Sequence, residues 1–106
     1  MKIESFSNQL EYKDNGVSTK VLLDTAFTRE IRILLKEGQH MKEHKAPFPI
    51  IVHVLEGNIN FGVEGKTYPI KKGDIFTLDA NIPHDLSALK NSIVRLSLSK
   101  LDSFER

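Results

Sequence analysis

Gly38 to Gly57 reads GQHMKEHKAPFPIIVHVLEG, and the reading of this stretch decides the fold. It holds His40, His44 and His53, a fully apolar run from Ala46 to Val52, and a closing Glu56-Gly57 turn. Ile50 to Leu55 is apolar on both faces of an extended chain except at His53. That is the pattern of a strand covered on both sides, by a second sheet or by a partner subunit. A second stretch, Gly73 to His84 (GDIFTLDANIPH), supplies the remaining histidine.

Outward from there the chain alternates. Ile31, Ile33 and Leu35 are separated by Arg32, Leu34 and Lys36, a half-buried strand whose polar face Leu34 interrupts. Leu34 therefore predicts partial cover over that face. Ile59, Phe61 and Val63 alternate with polar positions, and so do Val94, Leu96 and Leu98. Extended segments are predicted at Lys20–Asp24, Arg29–Lys36, Lys42–Ala46, Ile50–Leu55, Asn58–Glu64, Thr67–Ile70, Ile75–Leu78, His84–Ala88 and Ser92–Ser99. Turn residues bound them, among them Glu37-Gly38 and Glu64-Gly65. Residues 1–18 read as polar and irregular, with a turn at Asp14-Asn15-Gly16, and 100–106 as a turn of helix or a frayed end. Short strands at this spacing, with no sustained helical period, predict an all-β sandwich or barrel.

The 106 residues are expected to form one domain, with its barrel core over residues 19–99. There is no cysteine, which excludes disulfides, thiolate metal sites and cysteine nucleophiles. Fifteen basic and 14 acidic side chains nearly cancel, so no nucleic-acid partner is expected. The N-terminus (MKIESFSNQLEY) lacks the apolar run of a signal peptide, and no stretch approaches the roughly 20 apolar residues that cross a bilayer. A cytoplasmic protein with no membrane partner is the expectation.

The two quoted stretches resemble the two motifs of the cupins, small jelly-roll barrels built as a double-stranded β-helix, and the chain is most similar to small single-domain, RmlC-like cupins of the conserved-barrel type. The first motif runs Gly, five residues, His-x-His, three or four residues, Glu, six residues, Gly. Here Gly38, His44 and Gly57 hold their places, while Ala46 stands at the second histidine and Ile50 at the glutamate. The second motif runs Gly, five residues, Pro-x-Gly, two residues, His. Gly73 and His84 match it, with Asp79 at the proline and Asn81 at the glycine. Asparagine is the next most willing residue after glycine to take a left-handed backbone.

The resemblance implies a metal or small-molecule site at the barrel mouth, with His44 and His84 as ligands to zinc, iron, nickel, manganese or copper. Even spacing from His44 makes His40 the candidate third ligand. His53, at odd spacing from Ile50, is expected on the outer face. With two of the family's ligand positions lost, a divalent ion would keep its full charge among apolar neighbours. Serines 87, 97 and 99 have no elbow motif or base beside them and read as surface residues. Phe61 and Phe76 read as core, and Phe48, between two prolines, as a wall of the mouth.

Three functional readings stay open. One is a metal-dependent oxygenase or isomerase acting on a small chelating substrate. Another is a non-catalytic module that binds or senses a small ligand. The third is a dimerisation module, since similar cupins are commonly homodimers and the apolar strand Ile50–Leu55 needs cover.

Overall fold

The structure, a computed structural model, describes residues 1–100. The helix-or-frayed reading of 100–106 lies, apart from Lys100, outside the described residues. Nine strands follow in order: β1 (Ser18–Asp24), β2 (Thr28–Leu35), β3 (His40–His44), β4 (Ile50–Glu56), β5 (Asn58–Val63), β6 (Lys66–Lys71), β7 (Ile75–Leu78), β8 (His84–Ala88) and β9 (Ser92–Ser99). They form two antiparallel sheets, β1-β2-β9-β4-β7 and β3-β8-β5-β6. The all-β architecture anticipated from the alternation, and the jelly roll that the cupin resemblance implied, are the fold.

Period-2 patterning explains how the sheets face each other. Ile33 and Leu35 on β2, Ile50, Val52 and Val54 on β4, and Val94 on β9 point inward from the five-stranded sheet. Ile59 and Phe61 on β5 and Leu86 and Ala88 on β8 meet them from the other. Burying a side chain of this size contributes about 1.5–3 kcal/mol each.

The outer face of the five-stranded sheet has the cover that Leu34 anticipated. Leu34 is only 1% exposed. The irregular N-terminal segment lies across this face as a strap. The Arg32 guanidinium donates from Nη1 to the carbonyls of Asn8 at 2.7 Å and Ser5 at 3.4 Å, and from Nη2 to that of Gln9 at 3.3 Å. Phe6 lies 6.0 Å from the Arg95 guanidinium. Further along, Lys36 pairs with Asp14, and Gln39 donates to the Lys13 carbonyl at 2.7 Å.

Beneath the strap Glu30 is buried. Its Oε1 accepts from Arg95 Nε at 2.9 Å and Ser97 Oγ at 2.5 Å. Burial alone pushes the carboxyl up, but the Ser97 hydroxyl and the Arg95 guanidinium outweigh it and hold the pKa below its ordinary 4.5. Ser97 is therefore a buried partner of Glu30, not the surface serine expected from its position.

One turn is fixed by a glycine. Gly57 joins β4 to β5 at φ +95°, and a Cβ there would sit 2.6 Å from the Asn91 carbonyl oxygen and 2.7 Å from Ser92 Cα. Both obstacles are backbone, which cannot rotate aside. Gly57→Ala is expected to cost at least the roughly 1–3 kcal/mol of a residue forced into a sparsely populated backbone region. A urea melt measures it, and an unchanged midpoint would refute the account.

Candidate functional site

His44 and His84 are brought together by strand register. β3 pairs with β8 so that Met41 faces Leu86 and His44 faces His84. Leu86 and His84 both point into the barrel, two residues apart. Met41 and His44 also point inward although three residues separate them, because the pairing shifts register between them. Lys42 and Glu43 together oppose Asp85, a β-bulge.

The bulge corrects the expectation for His40. Even spacing places His40 beside His44 only on a regular strand, and the extra residue reverses the parity. His40 lies opposite Ser87 on the outer face, and its Nε2 is 2.8 Å from Asp85 Oδ2. It joins no site with His44 and His84. Asp85 also spreads over β5, where a Cβ on Gly62 would collide with its Oδ1 and lie 3.1 Å from its Cγ. The missing side chain at Gly62 makes room for the carboxylate that meets His40.

The paired imidazoles have a shared geometry. Their ring centroids are 4.4 Å apart at 64°. His44 Nδ1 lies 2.7 Å from the Lys42 carbonyl, and His84 Nδ1 lies 2.8 Å from the Ile82 carbonyl. A carbonyl only accepts, so each Nδ1 carries a proton. In the neutral ring, Nε2 is then left with its lone pair, the arrangement that orients histidines which bind through Nε2. Phe61 stacks on His84 with centroids 5.4 Å apart at 20°.

Beside the two rings is an interior cavity of about 20 Å³, walled by Met41, Ile50, Phe61 and Leu86. That volume holds one water or one ion and no substrate. On the other side of Phe61 the sheets part between β6 and β7. An apolar cleft of about 230 Å³ opens there, lined by Phe61, Val63, Tyr68, Ile70, Phe76 and Leu78. Phe61 and Phe76 meet edge to face at 4.6 Å. Reading these phenylalanines as plain core missed the cleft. The usable signal was aromatic and apolar residues two apart on consecutive segments, Phe61 and Val63 followed by Tyr68 and Ile70. Phe48 lines a separate groove with Pro47, Leu98, Arg29 and Lys100. His53 lies on the outer face, opposite Arg95 and Ile75.

The sequence matches the family described as Cupin domain over residues 31–101. The chain belongs to the cupin family. A cupin 2 conserved barrel domain protein from Leptotrichia buccalis is 32% identical over 86% of this chain and 44% of that one, with a TM-score of 0.77. An RmlC-like cupin protein from Desulfovibrio desulfuricans has a TM-score of 0.86 at 19% identity, over 93% of this chain and 96% of that one. The SPY1581 protein of unknown function from Streptococcus pyogenes has a TM-score of 0.80 at 20% identity, over 96% and 90%. The last two show the fold alone. No curated protein matches this cupin.

A metal centre of the family's usual kind does not fit these residues. Among the described residues, no group of three or more His, Cys, Asp or Glu side chains is placed to hold an ion. Two neutral imidazoles leave a divalent charge unbalanced against Phe61, Met41 and Ile50, and catalytic zinc sites take about three protein ligands.

His84 is 5% exposed. Burial, reinforced by the neighbouring His44, holds its pKa below the ordinary 6.5 despite the Ile82 carbonyl and Asp85. As pH falls below 6.5 the unfolded chain binds this proton and the folded chain resists it. Stability from His84 is therefore present above that pH and lost as pH falls through the lower folded value. Thermal melts between about pH 7.5 and 5.5 should show a falling midpoint, with a shallower fall in His84→Gln. Equal slopes in the two proteins would contradict the assignment.

Proposed function

We propose that this cupin is a non-catalytic small-molecule-binding barrel whose mouth takes a compact, neutral ligand with a hydrogen-bond-donating head and an apolar ring or short chain. The observation that carries the reading is the pair of Nδ1–H to carbonyl bonds on His44 and His84, which leaves both Nε2 atoms as acceptors. A hydroxyl or amide N–H satisfies such an acceptor without bringing charge into the barrel. The apolar part of the ligand fits the cleft on the far side of Phe61, and its head reaches the imidazoles as the Phe61 ring turns aside. At about 230 Å³ that cleft falls below the roughly 300–1,000 Å³ of drug-sized pockets, which restricts the ligand to a few heavy atoms beyond one ring.

The metal-dependent oxygenase or isomerase reading has less behind it. The positions of Ala46 and Ile50 carry no ligand atoms, His40 is turned to the outer face, and the cavity beside the imidazoles does not admit a substrate.

Small aromatic alcohols and amides, screened by saturation-transfer NMR, should bind with shifts at the Val63, Ile70 and Leu78 methyls and at both imidazoles. His44→Gln/His84→Gln should weaken them roughly tenfold, the scale of about one lost hydrogen bond, chiefly that to the buried His84. Protein purified without chelator should carry well under one equivalent of transition metal. Stoichiometric metal that the double variant loses would replace this reading with the enzymatic one.

The homodimer expected from the apolar strand belongs with this proposal. Ile51 on β4 is 44% exposed and Ile75 on the edge strand β7 is 61% exposed, diagonal neighbours on the outer face left open by the strap. Covering them with a second copy removes an apolar surface from water. Light scattering should report a dimer at micromolar concentration and a monomer for Ile51→Lys/Ile75→Lys. A monomeric parent protein would exclude it.

A further inference from the structure

The outer face holds a charge that the site at the mouth does not use. Arg32 is 4% exposed, yet no carboxylate pairs with it among the described residues. Its in-register neighbours are both cations, Lys20 on β1 and Arg95 on β9. Glu30 is committed to Arg95 and Ser97. The Arg32 acceptors are neutral carbonyls of the strap, two of them at 3.3 Å or more, and its buried Nε has no acceptor at all. A buried guanidinium with neutral partners and an orphaned N–H is an expensive arrangement, and like charges directly opposite in a sheet add to the cost.

Arg32 and Lys20 line a cleft of about 480 Å³ between the strap and the sheet, with Ile3, Glu4, Ser5 and Asn8 along its other walls. We propose that this cleft is a binding site for a small oxyanion, a carboxylate or phosphate group, held between the Lys20 ammonium and the Arg32 guanidinium. The anion supplies the negative charge that Lys20 and Arg32 lack, Arg95 being paired with Glu30, and the acceptor that Arg32 Nε lacks. Arginine presents paired N–H groups that match a carboxylate or phosphate edge, and Nε is one of them. Because Nε is covered, the oxygen reaches it as the strap shifts, so occupancy is read in the strap itself. Gln9 in the strap already adopts φ +52°, a left-handed turn beside the guanidinium. The cleft exceeds the volume of a bare ion, so an organic carboxylate or phosphate ester fits better than the inorganic group alone.

The test uses the full chain at constant ionic strength, with sodium chloride replaced stepwise by sodium phosphate in one arm and sodium succinate in the other. Saturable shifts are expected at the Ser5–Gln9 amides and at Arg32 Nε–H, and the tighter arm identifies the anion class. The exposed Lys20→Gln should weaken binding by roughly two- to fivefold, the scale of one surface charge contact, without changing the melting temperature. Glu4→Gln, which removes the acid from the cleft wall, should tighten it. Arg32→Lys keeps the charge and removes Nε; if it folds, it should lose the saturable component. Shifts that rise linearly in both arms, or that are identical in Lys20→Gln, would overturn the proposal.

Discussion

A single extra residue in a five-residue edge strand determines what this barrel can do. β3 is held by β8 alone, and along that ladder two residues, Lys42 and Glu43, oppose one, Asp85. On a regular strand, Met41 and His44 would face opposite ways, so the core would gain one and lose the other. The bulge lets both point inward. Met41 then packs over the core while His44 meets His84, and the polar outer face keeps His40 for Asp85. Bulges near edges commonly re-aim one side chain in this way, and here the re-aimed side chain is half of the candidate site.

The consequences spread through β8 to its other neighbour. Asp85, displaced outward by the same alternation that turns His84 inward, spans from His40 on β3 to the bare backbone of Gly62 on β5. The inner side of β5 carries Phe61, which stacks on His84 and forms the partition between the interior cavity and the cleft. Histidine pair, aromatic partition and outer ion pair are thus three results of one register. The other sheet solves a different problem. Its outer face carries a row of cations with one buried acid, and the strap's carbonyls, rather than further carboxylates, surround Arg32.

The sequence disclosed the strands because period-2 alternation survives in β2, β5 and β9 and turn residues bound the others, and every segment anticipated lies within a residue or two of an observed strand boundary. Leu34 correctly announced cover on an otherwise polar face, but not what covers it. The strap binds through its own backbone carbonyls, and those leave no mark on side-chain composition. His44 and His84 were singled out because the two stretches resemble the cupin motifs, whose glycine and histidine spacing Gly38, Gly57 and Gly73 keep. His40 was misread because parity counts residues, and a bulge adds one without any residue type that announces it. Ser97 was taken for a surface serine because its partner, Glu30, lies far away in sequence and becomes a neighbour only through the β2–β9 ladder. Local periodicity sees neither a bulge nor a long-range pair.

The losses at Ala46 and Ile50 acquire a physical sense in this setting. Ile50 is buried in the core and also walls the small cavity beside the imidazoles. A glutamate there would be a carboxylate in an apolar interior, tolerable only with a metal or cation to balance it. Replacing it with isoleucine removes the need for the ion and closes the interior to a volume of one water. The same change lets His84 stay neutral under Phe61, since a nearby carboxylate would draw a proton onto the ring. What the barrel keeps is a pair of imidazoles, each oriented by its Nδ1–H bond to a carbonyl, with an apolar cleft beyond Phe61. On the ligand reading proposed above, such a site would select by donor geometry and shape, and the lack of a carboxylate at Ile50 would suit it to uncharged ligands.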